Sequence, residues 1–402
     1  MIFYSLEETA LILGVTKETL RRWDVKGKLK AYRHPFNNYR MYKKILVDKV
    51  KSKDAFCKDI DPNIVQPNRE YTSIELFAGA GGLGLGLHLA GIRCKLYNEI
   101  DGTACKTLKN NMSNWNVVND DIKNLSFKPY KNKIDIITGG FPCQAFSYAG
   151  RKHGFKDTRG TLFYEFARAI LEVKPKIFLA ENVRGLLNHD GGRTLSTIIS
   201  VFEEVGYHVY EPEVLKALHF NVPQKRERLI IVGKRKDITC DYKYPTPTNS
   251  IFTLKDALKK GSLFETNVPK SEGITYPLRK RKILEKVPPG GYWRDLPVNL
   301  QKEYMLKSYY LGGGKTGIAR RISWDEPSLT LTCSPCQKQT ERCHPDDTRP
   351  FTVREYARIQ TFPDYWKFAG SVHNQYKQIG NAVPVNFAKE LGYSLIHFLN
   401  KC

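Results

Sequence analysis

Between residues 73 and 232, short β-prone runs alternate with helical stretches, and no other feature constrains the fold of this chain as strongly. The runs at 73–77, 94–98, 134–138, 176–180 and 229–232 are short and apolar, with turn-forming residues around them. Residues 162–173 and 194–205 carry apolar side chains at helical intervals instead. Strands that alternate with helices predict an α/β fold with a doubly wound, largely parallel sheet. Open sheets of this kind bind ligands at the carboxyl ends of their strands, so the residues that follow each run carry the functional reading.

Five regions follow: a head at 1–50, a linker at 51–70 marked by Pro62, Asn63, Pro67 and Asn68, a body at 71–235, an insert at 236–318 and a return segment at 319–402. A hydrophobic content of 41% in 402 residues is enough to bury real cores, which excludes a disordered or fibrous chain. No apolar run approaches the ~20 residues of a membrane span, and the first ten residues carry Glu7 and Glu8 rather than a basic start. A cytoplasmic protein without a membrane partner is expected. Nine scattered cysteines form no disulfide framework, so reduced thiols are expected. The formal charge is +23, and the span 234–321 alone carries 19 Lys+Arg against 8 Asp+Glu. Such an excess suits a polyanion, because cations that meet phosphates release condensed counterions. Arg279, Lys280, Arg281 and Lys282, with Tyr276, Tyr292 and Trp293 elsewhere in the insert, suggest a nucleic-acid surface.

In the head, Ser5 stands three residues before Glu8, a capping-box spacing that opens a helix with Leu6, Ala10 and Leu13 on one face. Gly14 breaks it, and a second helix begins with Thr16 as its cap and Leu20 and Trp23 as anchors. Residues 31–42, rich in Tyr, Arg and Asn around Pro35, read as a short β-wing. Helix, turn, helix and wing is a DNA-binding layout. Residues 5–42 resemble the winged helix-turn-helix domain of the MerR family, which implies DNA contacts from Arg21 and Arg22.

Three strand ends in the body carry chemistry. The first runs into Glu75-Leu76-Phe77-Ala78-Gly79-Ala80-Gly81-Gly82-Leu83-Gly84, whose glycines let backbone amides approach a ligand. Glu99 follows Gly79 by twenty residues, at the end of the next strand, where a carboxylate can accept from two ribose hydroxyls. Dinucleotide binders and methyltransferases that use S-adenosylmethionine share this pattern. The second strand runs into Gly139-Gly140-Phe141-Pro142-Cys143-Gln144, and places a cysteine where open sheets do chemistry. The third ends in Glu181-Asn182-Val183. Further on come Gln224-Lys225-Arg226-Glu227-Arg228 before a strand, and Gln378-Ile379-Gly380-Asn381-Ala382-Val383-Pro384 opening a last amphipathic helix.

Taken in order, these five motifs resemble the DNA cytosine-5 methyltransferases of bacterial restriction–modification systems, over about 71–233 and 319–399. Two departures are Glu75, where Asp is frequent, and Ala382, where Ser is common. The resemblance implies methyl transfer from S-adenosylmethionine to carbon 5 of a flipped-out cytosine in a short double-stranded DNA sequence. Cys143 is then the nucleophile, Glu181 the group at ring nitrogen 3, Arg228 the contact to the exocyclic carbonyl, and Arg226 its support. Cofactor contacts fall on Phe77, Gly79, Gly82, Glu99, Asp121, Ile122, Pro142, Leu162, Asn381 and Ala382. DNA contacts fall on Gln144, Ser147, Arg151, Arg159 and Gln224, while the insert takes the target-recognition position. A cognate restriction endonuclease acting separately, monomeric catalysis, a head able to dimerise and autoregulation through that head complete the expectation. Cys333, Cys336, Cys343 and His344 lack a second ligand pair of metal spacing, so no metal is expected.

Overall fold

The computed structural model describes residues 3–13, 17–25, 29–34, 39–47, 63–142, 161–313 and 315–402. The described chain forms two compact units, 1–64 with 246–250, and 65–245 with 251–402. Among the described residues no helix is long and apolar enough to cross a membrane.

The first unit holds β1 (Phe3–Ser5), β2 (Tyr32–Arg33) and β3 (Arg40–Lys43) in an antiparallel sheet of order β1-β3-β2. Ser5 and Glu8 close the capping box: Ser5 N–H donates to Glu8 Oε2 at 2.7 Å and Glu8 N–H to Ser5 Oγ at 3.1 Å. The helices Leu6–Ile12 and Lys17–Val25 pack on a small core of Leu20, Leu29, Tyr42 and Val47. The wing forms from β2 and β3, and β1 adds a strand that the sequence pattern did not suggest. Gly14, Thr16 and Pro35 lie outside the described residues, as do residues 51–62 of the linker.

The second unit is built on β4 (Tyr71–Leu76), β5 (Ile92–Glu99), β6 (Val117–Asn119), β7 (Ile136–Gly139), β8 (Ile177–Val183), β9 (Tyr207–Val209), β10 (Glu213–Lys216) and, past β11 (Gln224–Lys225), β12 (Glu227–Arg235). The sheet order is β10-β12-β8-β7-β4-β5-β6, with β9 also pairing β12. The five strands β4 to β8 run parallel, and β12 runs antiparallel to β8. The order turns back between β4 and β7, so their carboxyl ends flank the switch point where such sheets bind ligands.

The helix Leu162–Val173 has the bounds its periodicity predicts, and Thr161 Oγ1 caps it by accepting from Tyr164 N–H at 3.0 Å. The C-terminal helix Val385–Leu399 buries Leu391, Leu395, Ile396 and Phe398, and lies against the helix Gly82–Ala90. Contact is so close that a Cβ on Gly86 would meet Ala388 Cβ at 2.3 Å, and one on Gly392 would meet Ala90 Cβ at 2.6 Å. Each large aliphatic or aromatic group buried there stabilises the fold by about 1.5–3 kcal/mol, so the last helix is integral to the domain that begins 300 residues earlier. Gln378–Asn381 ends the separate helix Val372–Asn381, and the last helix starts only after Pro384. This corrects the expectation that the motif opens that helix: Pro384 has no N–H to donate and sits as a helix start requires.

The later part of the insert packs in a further cluster, in which Tyr276, Ile283, Leu284, Trp293, Met305 and Ile318 are buried together with Cys343 of the return segment. Cys240 and Cys402 meet as a disulfide with their Cα atoms 6.0 Å apart, a correction to the expectation of reduced thiols throughout. The pairing joins the stretch after β12 to the chain end across 162 residues, a distance no sequence spacing reveals.

Candidate functional site

The glycine turn leaves β4 through Phe77, which holds a left-handed φ of +57°. A bulky aromatic residue rarely adopts that conformation, at a cost of about 1–3 kcal/mol. The turn is then fixed from two sides. Ala78 N–H donates to Asn98 O at 3.0 Å, and Gly79 N–H donates to Glu99 Oε2 at 2.7 Å. Glu99 Oε1 accepts from Asp101 N–H at 2.8 Å, so each carboxylate oxygen keeps a further lone pair.

The glycines divide into two kinds. Gly79, at φ +54°, would carry its Cβ into open space, while Gly81, Gly82 and Gly84 are closed in by packing. A Cβ on Gly82 would come within 2.2 Å of Val383 O and 3.1 Å of Ala382 Cβ. Gly82 and Ala382, both expected to touch a cofactor, therefore face one another across a helix contact. Beneath the turn, Glu75 is buried. Burial pushes its carboxyl up to about 8, opposed by a hydrogen bond from the Gly84 backbone and aided by the charge of Glu99.

Asp121 caps the short turn Ile122–Asn124, with its carboxylate accepting from Lys123 N–H at 3.0 Å. Arg168, on the helix Leu162–Val173, braces that turn by donating to Ile122 O at 2.9 Å and Leu125 O at 3.0 Å. Arg168 escaped the sequence reading because an arginine on an amphipathic helix looks like a solvated residue. Leu162 stands half-buried at the start of the same helix. The open Gly79, the Glu99 carboxylate and the capped Asp121 turn make a cradle at the ends of β4, β5 and β6. Its donor set fits S-adenosylmethionine: carboxylate acceptors for ribose hydroxyls, a second acid at the following turn and a wall without side chains.

The second part of the site lies where β7, β8 and β12 end. β7 leads into Gly140, Phe141 and the exposed Pro142. Asn182 Nδ2 donates to Phe141 O at 2.9 Å in a buried bond, which anchors the chain just before Cys143. Glu181 Oε2 would stand 3.0 Å from a Cβ on Gly140, so the carboxylate lies close against the backbone that leads to Cys143. Glu181 lies opposite Ile230, two residues from Arg228, so the antiparallel pairing puts both side chains on one face. They form an ion pair through Arg228 Nε and Glu181 Oε1. Cys143, Gln144, Ser147, Arg151 and Arg159 lie outside the described residues, as does the side chain of Arg22; Arg21 is exposed on its helix.

Arg226 and Gln224 work inward. Arg226 is 1% exposed and donates to Leu331 O at 3.3 Å and Gly380 O at 3.1 Å. Burial and the neighbouring Arg228 push its guanidinium down to about 9, which leaves it charged at neutral pH. Gln224, expected at the DNA surface, is fully buried and is corrected to an internal strut. Its amide donates to Gln360 Oε1 at 2.9 Å and accepts from Leu331 N–H at 3.0 Å. Gln360 in turn donates to Ile379 O at 2.7 Å and Ala382 O at 3.2 Å. These buried amides and the Arg226 cation tie the 224–228 segment to the 378–384 segment. Cys333 Sγ completes the link by donating to Asn381 Oδ1 at 2.9 Å. His344 Nδ1 accepts from Asp347 N–H at 3.1 Å, and Cys343 is buried in the core of the insert. Among the described residues no three metal-ligating side chains gather.

Residues 71–397 match the family described as C-5 cytosine-specific DNA methylase, and residues 4–52 match the MerR HTH family regulatory proteins. The chain is 62% identical over 401 residues to the Type II methyltransferase M.Eco47II of Escherichia coli, covering 99% of this chain and 96% of that protein. It is 54% identical to M.PspPI of Psychrobacter sp. (strain TA137), covering 99% and 96%. Among solved structures, a DNA modification methyltransferase from an E. coli prophage matches with a TM-score of 0.58 and 25% identity, covering 82% of this chain and 100% of that one. A DNMT2 of Spodoptera frugiperda shares the fold at a TM-score of 0.60 and 16% identity, covering 81% and 99%.

Proposed function

Because the chain belongs to the C-5 cytosine-specific DNA methylase family, we propose that Cys143, Glu181, Arg226 and Arg228 carry its chemistry. The protein is a Type II DNA cytosine-5 methyltransferase of a restriction–modification system, and it acts on double-stranded DNA with S-adenosylmethionine as methyl donor. The observation that supports the residue assignment is the convergence of Glu181, Arg228 and the approach to Cys143 at one sheet edge.

Carbon 5 of cytosine is a weak nucleophile, so the ring must first be activated. The Cys143 thiolate adds to carbon 6, while Glu181 donates a proton to ring nitrogen 3 or hydrogen-bonds there, and the charge of the addition is neutralised. Arg228 donates to the exocyclic carbonyl, held in place by Glu181 itself. Bound S-adenosylmethionine supplies an electrophilic methyl carbon on its sulfonium. Once carbon 5 has bonded to that methyl carbon, its proton passes to solvent water. The bond from carbon 6 to sulfur then breaks with Cys143 leaving as the thiolate, and the ring regains its aromatic form. Phe77, Gly79, Glu99, Asp121, Ile122, Pro142, Leu162 and Asn381 would hold the donor, with Gly82 and Ala382 shaping its wall. The target base lies inside a duplex and must be flipped out to meet the thiol. Gln144, Ser147, Arg151 and Arg159 are assigned to the DNA around it.

The insert 236–318 is the target-recognition domain in this reading, supported by the core that residues 276–318 form with Cys343 and by the excess of Lys and Arg in its sequence. Tyr242, Leu254, Ala257 and Leu258 are buried instead in the cores of the body. A cognate endonuclease cuts the same site as a separate protein, and catalysis proceeds in the monomer. Incubating the full chain with S-adenosylmethionine and mixed-sequence duplex DNA, then analysing nucleosides by mass spectrometry, should yield 5-methylcytosine. Methylated exocyclic amino groups would overturn the assignment of Cys143.

The helix-turn-helix head supports a second role, in which it binds an operator and controls the modification genes. Deleting residues 1–70 is expected to abolish a footprint at the upstream promoter. A footprint that survives the deletion would sink this role.

A further inference from the structure

A cleft of about 510 Å³ opens beside Arg228, lined by Arg184, Lys216, Lys225, Glu227 and Thr330 among others. These residues come from four separate places: the chain after β8, the end of β10, the β11–β12 stretch and the return segment. Four cations face one carboxylate in the lining, yet three of the cations are already paired. Arg184 meets Glu227 at 2.6 Å, Lys225 meets Glu326 at 3.1 Å, and Arg228 meets Glu181. Lys216 is half-buried and has no ion-pair partner among the described residues. Thr330 does not supply the missing partner, since its hydroxyl donates to Lys225 O at 2.7 Å and so fixes the backbone of the cleft. Counted with their partners Glu227, Glu326 and Glu181, the four cations leave one net positive charge in the cleft, and Lys216, which stands opposite Glu227 in the β10–β12 pairing, carries it.

We propose that Lys216 grips a backbone phosphodiester of the target strand next to the flipped cytosine. The inference rests on the reading that Glu181 and Arg228 receive the base. A flipped base stays tied through its sugar to two phosphates, so at least one of them must lie close to the base pocket. Lys216 is on the body of the enzyme, outside both the insert and residues 144–159, so it anchors the strand independently of sequence readout. The neutralised cation also releases a counterion, which adds affinity without adding sequence preference.

The test is a double-mutant cycle on the full chain. Binding is measured to a duplex carrying the methylation site found by bisulfite sequencing, with or without one uncharged methylphosphonate beside the target cytosine, 5′ or 3′. Lys216→Gln is expected to weaken binding about tenfold and to lower the slope of log Kd against log salt by about one. Lys216→Arg should restore both. At one of the two linkages, the methylphosphonate should cost the wild type the same factor and cost Lys216→Gln nothing further. Unchanged affinity and slope in Lys216→Gln would overturn the proposal, as would losses that multiply at both linkages. The wild type is also trapped on a duplex with 5-fluorocytosine at the target. If the covalent adduct forms while Lys216 variants behave as wild type, only this proposal falls; if no adduct forms, the base-site reading falls with it.

Discussion

Cys143→Ala should abolish methyl transfer, with an expected fall in kcat of about 10⁴-fold or more. Alanine removes the only atom that can add to carbon 6, and without that addition the carbon 5 position has no electron density to offer. Cofactor binding should survive, because the cradle around Gly79 and Glu99 is built from β4, β5 and β6 rather than from the chain after Pro142. The measurement pairs nucleoside mass spectrometry with a trapping assay on a duplex whose target cytosine carries fluorine at carbon 5. Fluorine cannot leave as a proton does, so the wild-type adduct persists on a denaturing gel. The variant should give no such band. A variant that still formed 5-methylcytosine would remove Cys143 from the reaction.

Glu181→Gln is the second large effect, with an expected drop in kcat of about 10²–10⁴-fold. The amide keeps the shape and an acceptor for Arg228, but it can neither hold a negative charge nor give up a carboxyl proton to ring nitrogen 3. Both partners of the Glu181–Arg228 pair are 13% exposed, so their ion pair is more than a solvated surface contact. The thermal unfolding curve of the variant separates lost chemistry from lost structure. A normal Tm with a collapsed kcat supports the assigned role. A kcat near that of the wild type would make Glu181 only a holder of Arg228.

The motifs that matter for chemistry were readable because each is local. The capping box at Ser5 and Glu8, the helix Leu162–Val173 and the strands under the glycine turn all follow from periodicities and turn residues within about a dozen positions. The same locality explains the misses. β6, β9 and β10 are three or four residues long, too short for an alternation to stand out from a loop. Gln224 looked like a surface amide, since nothing near it in the chain announces Gln360 or Leu331, more than a hundred residues away. Asn182 and Arg168 looked ordinary for the same reason: their partners, Phe141 and Ile122, lie on other elements.

By itself, then, the sequence determined the class of fold, the family and the order of the motifs, because those reside in residue types and their near neighbours. Strand direction and long-range pairing were decided only in three dimensions. An apolar run of the length of 229–232 reads the same whether it pairs parallel or antiparallel, yet the antiparallel choice is what brings Arg228 to Glu181. Likewise, Gly82 looked like part of a ligand loop, and only the fold shows it closed in by Ala382 and Val383, with Gly86 beyond it pressed against Ala388 of the last helix. Close packing acts through space at a few ångströms, and a linear pattern carries no record of which distant segment will occupy that space.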